Sequence, residues 1–313
     1  MARRIIILTN TSMEDKIGGV PVHCKLLQRV FPEAIHLTCS KVGVTKGTFE
    51  EMSYNLGYLA EHKGLIKPDD IVITDGFWGC GLSNQDRVIV VCHGILSGDV
   101  GLQHPISQYQ KKHMERNHVV SVSINAAQEC IRDYQFTCDT VIMNGIDLDI
   151  FCPPQVPPGA FVLGTIDPMG KCRITKFNGL IDRLKADFTI QNVQGDWPYA
   201  VAKEYQKCSA YLHLSRYEGC SYAVNEALAT GLPIIATPTG LIGNYQAFLN
   251  EYKLPIGEIL TSVTPTYEEV KASVLKVQRE YSTYKPLEWC QKYCNFQLFK
   301  KEWTNYIANF ISV

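Results

Sequence analysis

Several signals that would place a chain at once are missing from this one. No two cysteines stand as a CxxC pair, and the closest two, Cys290 and Cys294, suit one helix face rather than a zinc knuckle. No stretch of about 18 apolar residues occurs, so no membrane-spanning helix is expected. No GxGxxG follows the first apolar run, which removes the dinucleotide fingerprint of an oxidoreductase. Charge of either sign is not in excess. Thirty Lys and Arg face 31 Asp and Glu, a formal net charge of -1, and no bulk pull toward nucleic acid or anionic membrane follows. There is no short-period repeat and no low-complexity segment.

What is present reads as a globular protein. Its 313 residues are too many for one small core and suit two medium domains. Hydrophobic residues make up 46% and charged residues 19%, which rules out a disordered or coiled-coil chain. Twelve cysteines are present, several inside apolar strand-like runs such as Cys92 in VIVVCHG. They read as small buried thiols of a reducing cytosol. The opening MARRIIILTN lacks a long apolar region and a cleavage site, and reads as a first strand rather than a signal peptide.

Short apolar runs alternate with helical patterns. Strands are expected at 5–9, 35–39, 70–76, 87–94, 118–123 and 140–145, with helices from Gly18 to Pro32, over 49–63 and from Ser123. Runs that are apolar throughout, separated by helices, indicate a parallel sheet covered on both faces. Pro153, Pro154, Pro157 and Pro158 then interrupt the pattern, because proline continues neither a helix nor a central strand. The alternation restarts with strands at 160–166, 187–193, 210–215 and 233–238, and helices around 175–186, 198–207 and 220–230. The chain therefore divides into an N-terminal Rossmann-like domain (1–152), a linker (153–159), a second Rossmann-like domain (160–286) and a C-terminal helix (287–313) that should pack back toward the first domain.

The most informative segment runs from Ser215 to Ile234, SRYEGCSYAVNEALATGLPI. A strand ends in a polar turn holding Glu218 and Gly219, and a helix follows. Backbone N–H groups of Gly219, Cys220 and Ser221 at that helix start would favour an anion. Glu226 stands farther along the helix. Two carboxylates beside an anion site suit a ligand rich in hydroxyls, while an ordinary helix with two solvated glutamates is the plainer alternative.

This segment resembles the E-x7-E signature of retaining glycosyltransferases of the GT-B fold, family 4 in particular, with Glu218 and Glu226 at the acidic positions. Three further places agree in order. Lys16-Ile17-Gly18-Gly19-Val20 resembles the loop that meets the donor phosphates. Val90-Val91-Cys92-His93-Gly94 resembles the strand that ends in an active-site histidine. Ser121-Val122-Ser123, followed by Val141 to Phe151, resembles the run into the interdomain linker. One departure stands out: Gly164-Thr165 replaces the usual glycine–arginine pair. Lys176 is then the match for the phosphate-binding lysine, and Arg173 or Lys171 the substitute for the arginine. Solvated loop charges are the alternative for Lys171 and Arg173.

The resemblance implies an α/β protein of GT-B type, two Rossmann-like domains whose parallel sheets face a central cleft. It implies transfer of a sugar from a nucleotide-diphosphate sugar to a carbohydrate or other hydroxyl acceptor, with retention of configuration. His93 and Glu218 would be catalytic. Gly18, Gly19, Lys176, Arg173, Gly219, Cys220, Ser221 and Glu226 would bind the donor, Glu226 through the ribose. No cofactor and no metal are expected. Asp147-Leu148-Asp149 is a D-x-D string, but its place after Asn144-Gly145 reads as a turn cap. The donor would carry UDP or GDP, the enzyme would be cytoplasmic (host-cytoplasmic if virus-encoded), and a nucleic-acid partner is not expected. Replacement of Glu226 should leave fold stability almost unchanged. A nucleotide-sugar 2-epimerase and a non-catalytic nucleotide-sugar binder remain as alternatives.

Overall fold

The computed structural model describes residues 3–13, 18–83, 85–156, 158–166, 178–244 and 254–312. The chain forms two compact units, Met1–Ile142 with Glu302–Val313, and Met143–Lys301.

The N-terminal unit runs β1 (Ile5–Thr9), α1 (Gly19–Val30), β2 (Ile35–Thr38), α2 (Cys39–Val42), α3 (Phe49–His62), β3 (Ile71–Asp75), β4 (Val88–Cys92), α4 (Ser97–Val100), α5 (Pro105–Glu115), β5 (His118–Ser121), α6 (Ile124–Glu129) and β6 (Thr140–Val141). All strand pairs are parallel, in the order β2-β1-β3-β4-β5-β6. Every residue of β3 and β4 is buried. That is why IVITD and VIVVC show no polar alternation. Ile6, Leu8, Val72 and Val90 pack with Leu56 of α3 and Met114 of α5. Helix starts are capped as their sequences suggest. Thr48 and Glu51 form a reciprocal capping box on α3, and Ser123 Oγ accepts from Ala126 N at 3.1 Å on α6.

The C-terminal unit runs β7 (Val162–Thr165), α7 (Asn178–Leu184), β8 (Thr189–Asn192), α8 (Tyr199–Tyr205), β9 (Ala210–His213), α9 (Tyr222–Ala229), β10 (Ile234–Ala236), β11 (Gly257–Ile259), α10 (Tyr267–Arg279) and α11 (Pro286–Tyr293). The final helix α12 (Phe296–Ser312) belongs to this unit as far as Lys301. Its five strands are again parallel, ordered β11-β10-β9-β7-β8. Leu163, Leu212 and Ile235 pack with Val270, Val274 and Val277 of α10. Each unit is thus a parallel α/β sheet, of six and of five strands, as the expected GT-B architecture requires.

Some elements differ from the sequence reading. The strand expected over 140–145 stops at Val141, because the chain turns away at Asn144, whose Nδ2 donates to Cys220 O at 2.9 Å. Residues ahead of the prolines already belong to the C-terminal unit. Phe151 is buried with its ring 6.4 Å from that of Tyr205, and Gln206 Nε2 donates to Cys152 O at 3.0 Å. The expected single C-terminal helix is two, broken at Cys294-Asn295. There Ile146 N donates to Cys294 O at 2.7 Å and Phe296 N to Ile146 O at 2.8 Å. Helices α2, α4, α5 and α10 and strand β11 are additions to the sequence reading.

Candidate active site

In an open parallel sheet, ligands bind beyond the carboxyl ends of the strands where the strand order reverses direction. In the N-terminal unit that point lies between β1 and β3, and in the C-terminal unit between β7 and β9. In each unit a strand beside that point ends in a buried titratable residue, Asp75 on β3 and His213 on β9.

In the N-terminal unit, Asp75 ends β3 and His93 directly follows β4. His93 Nε2 lies 3.3 Å from Asp75 Oδ1. The ring of His23, in the first turns of α1, meets the His93 ring edge-on with centroids 4.7 Å apart. Burial pushes the Asp75 carboxyl up to about 7 and the His93 imidazole down to about 4. Between about pH 4 and pH 7 the pair is a neutral acid facing a neutral imidazole. Buried Cys24, near the Asp75 charge, is pushed up to about 12. Gly18 precedes α1 with φ +126° and Gly19 opens it, and no side chain caps this helix start. His23 thus brings the glycine pair and His93 into one neighbourhood. Lys16 and Ile17, which the same motif includes, lie outside the described residues.

In the C-terminal unit, β9 ends in His213, and Glu218 folds back so that its Oε1 lies 3.3 Å from His213 Nε2. Glu218 is about a quarter exposed, whereas His213 is buried. The turn between them is braced from β10. Ser215 N donates to Thr237 Oγ1 at 2.9 Å, Thr237 Oγ1 donates to Ser215 O at 2.6 Å, and Ser215 Oγ donates to Tyr217 O at 2.9 Å. Gly240, at φ +54°, presses on the same turn. A Cβ there would meet Gly219 O at 2.7 Å and Glu218 O at 2.8 Å. Gly219 and Cys220 are buried and Ser221 is the N-cap of α9. Burial pushes the Cys220 thiol up to about 11, and Asn225 Nδ2 lies 3.7 Å from its sulfur.

Glu226 is only 4% exposed. Its Oε1 accepts from Trp197 Nε1 at 2.9 Å, and the hydroxyl of Tyr205, which donates to Ala223 O at 2.9 Å, lies close to the carboxyl. Burial pushes it up to about 7. Tyr211 of β9 feels both Glu226 and Glu218. Its ring lies 5.5 Å from that of Tyr205 and 6.0 Å from that of His213. The two acidic residues of the signature are therefore ends of one continuous run of side chains, Glu218–His213–Tyr211–Tyr205–Glu226.

Other expected residues fall as follows. Lys176, Arg173 and Lys171 lie outside the described residues. Thr165, at the position of the family's usual arginine, is buried at the end of β7 and its carbonyl accepts from Val193 N at 2.7 Å. Asp147 caps a turn, its Oδ1 accepting from Asp149 N at 3.1 Å. Among the described residues no group of three or more His, Cys, Asp or Glu is placed to hold a metal ion. Sequence reasoning missed Asp75, His23, His213, Trp197 and Tyr205. Asp75 and His213 could have been found, since each is a polar residue at the carboxyl end of an otherwise apolar strand.

With this geometry in hand, likeness to known proteins is informative. Residues 179–251 match the family described as glycosyl transferases group 1. Over that stretch, less than half of its length, the chain is similar to this family. No curated protein matches it by sequence. Among solved structures, sucrose-phosphate synthase from Thermosynechococcus elongatus superposes with a TM-score of 0.76 at 13% identity, over 99% of this chain and 100% of that one. HepE of Anabaena, in complex with UDP-glucose, gives 0.66 at 11% identity, over 97% and 99%. The catalytic domain of starch synthase IV from Arabidopsis thaliana, bound to ADP and acarbose, gives 0.66 at 11% identity over the full length of both. At such identities these neighbours speak for the fold alone.

Proposed function

We propose that this protein is a glycosyltransferase that moves a sugar from a nucleotide-diphosphate sugar to a hydroxyl of a carbohydrate or similar acceptor, with retention of anomeric configuration and without a metal. The observation that carries the reading is the braced Glu218–His213 pair at the carboxyl end of β9, within the family-matched segment. Support for a nucleoside diphosphate donor comes from the neighbours solved with UDP-glucose and with ADP; UDP, GDP and ADP sugars are the panel to try.

The roles follow from charge. As the anomeric C–O bond breaks, positive charge grows on the sugar and negative charge on the leaving diphosphate. Fixed donors stabilise the latter without reorganising. Lys176, Arg173 and the start of α9 at Gly219, Cys220 and Ser221 are assigned to it, with Gly18 and Gly19 at the start of α1. Glu218 holds sugar hydroxyls, with His213 fixing its direction. Glu226 holds the ribose hydroxyls, its carboxyl oriented by Trp197. His93, kept neutral by burial and positioned by Asp75, faces the transferred sugar. No nucleophile on the donor side is evident, so the acceptor oxygen is taken to attack on the face the diphosphate leaves, its proton passing to the departing phosphate oxygen. No helix among the described residues is long and apolar enough to cross a membrane. The free cysteines support a reducing compartment, and we place the enzyme in the cytoplasm.

The test is to incubate the protein with each nucleotide sugar, alone and with hydroxyl acceptors, and follow products by NMR. Transfer with retained configuration supports the reading. Isomerised sugar from donor alone would make it an epimerase, and nucleotide binding with no product a binder.

A further inference from the structure

The N-terminal unit carries a concave feature lined by none of the residues of the Asp75–His93 cluster. It is a cavity of about 540 Å³ between α3 and the loop at residues 80–83, with Arg116 beyond α5 at its edge. Tyr54, Tyr58 and His62 stand four residues apart on α3, so they share one helix face. Their rings are nearly parallel. Tyr54 and Tyr58 have centroids 5.9 Å apart with planes inclined by 16°, and Tyr58 and His62 are 5.6 Å apart at 10°. The separations exceed a face-to-face stack, so the rings form a stepped strip that leaves aromatic surface open. Tyr54 is 50% exposed and Tyr58 44%.

The opposite wall is held in place. A Cβ on Gly57 would meet Gly79 O at 2.6 Å and Leu82 N at 2.8 Å, so α3 and the loop touch backbone to backbone. A Cβ on Gly81 would run into the Tyr54 carbonyl. Glu61 clamps the loop end, its carboxylate oxygens accepting from Ser83 N at 3.0 and 3.1 Å and from Ser83 Oγ at 3.1 Å. The cavity is thus formed before any ligand arrives, which lowers the ordering cost of binding. Stacking of aromatic rings four apart helps an isolated helix. That alone gives no reason to set the rings along the wall of a fixed cavity.

A pyranose ring is a match for such a wall. One of its faces presents C–H groups, apolar and slightly positive, to the negative face of an aromatic ring. Its hydroxyls point outward, where Glu61, His62, Ser83 and Arg116 supply donors and acceptors. The volume falls in the range of small-ligand sites. A nucleic-acid strand would need a groove rich in cations. This one sets a single arginine against a glutamate in a chain of net charge -1. We infer that the Tyr54–Tyr58–His62 strip binds the oligosaccharide chain of the acceptor, at sugars beyond the one that is glycosylated. The inference rests on the proposed transfer to a carbohydrate.

The experiment uses the fluorescently labelled full chain on immobilised oligosaccharides of four or more sugars, with oligo-uridine as a comparison. Binding to a class of oligosaccharide is expected, reduced at least tenfold in the Tyr54→Ala/Tyr58→Ala double variant and retained in Tyr58→Trp. UDP, GDP and ADP affinities of the double variant should match wild type, which shows that it is folded. Equal glycan binding by the double variant, no glycan binding by wild type, or tighter binding of oligo-uridine than of any glycan would each overturn the inference. Glycan binding through the strip with no turnover of any nucleotide sugar would leave the strip standing and remove the proposed transfer. Turnover without glycan binding would do the reverse.

Discussion

Trp197 donates its indole N–H to Oε1 of Glu226 at 2.9 Å, across 29 residues of sequence. The bond fixes a carboxyl that is almost wholly buried. A residue expected to serve only a ligand is thereby also part of the fold.

Glu226 should make stability depend on pH. The unfolded chain releases this proton near 4.5, whereas the folded chain holds it to about 7. Between those values the unfolded state binds fewer protons, so stability falls as pH rises. A shift of this size corresponds to on the order of 3 kcal/mol. Denaturant unfolding of wild type and Glu226→Gln at pH 4.5 and pH 8 checks it. Wild type should lose more stability than the variant across that interval, and parallel losses would refute the assignment.

Glu226→Ala should weaken nucleotide binding by about 1.5–3 kcal/mol if the carboxyl accepts from ribose hydroxyls. It should also destabilise the fold by about 1–3 kcal/mol, because Trp197 Nε1 loses its acceptor. Calorimetric titration with UDP, GDP and ADP and a melting curve measure the two separately. Unchanged affinity with lowered stability would make Glu226 purely structural.

His93→Ala and Glu218→Ala should each cut kcat by about 100-fold or more while free-nucleotide affinity holds, since both are assigned to the sugar. Asp75→Asn should lower kcat and flatten its pH profile around 7, where burial places the Asp75 carboxyl. A variant of His93 or Glu218 that lost nucleotide affinity and kept kcat would contradict these roles.

Gly240→Ala should cost about 1–3 kcal/mol, because a side chain at φ +54° is strained and its Cβ meets two carbonyl oxygens. Those oxygens belong to Glu218 and Gly219, so turnover should fall as well. A thermal melt and a kcat measurement on the same preparation check both; full activity would mean the turn tolerates displacement.

Transfer activity should survive exhaustive EDTA treatment and gain nothing from magnesium or manganese. A loss above tenfold, about 1.4 kcal/mol of barrier, restored by added metal would overturn the donor-only account of the leaving group.

Much of the fold is legible in the sequence. Apolar runs such as IIILT and VIVVC announce buried parallel strands, and β1 lies where its pattern puts it. Glu218 is readable because the polar turn after β9 breaks an apolar strand. The failures have physical causes. Helix α5 carries a polar sequence with few apolar positions, so its periodicity is weak. Val141 to Gly145 looks like a strand because the same apolar residues also suit a buried turn. The positioning residues are hardest to read. His213 and Asp75 act through contacts made by folding, and Trp197 sits in a loop whose sequence says nothing of the carboxyl it will meet.

The described cysteines are free, and eight of them are buried: Cys24, Cys39, Cys92 and Cys130 in the N-terminal unit, Cys208, Cys220, Cys290 and Cys294 in the C-terminal unit. A buried thiol reacts with an alkylating reagent only when its surroundings open. Each unit therefore contains its own set of timers. Pulsed alkylation followed by mass spectrometry would date the opening of each sheet separately in one sample, and adding a nucleotide would reveal which set slows.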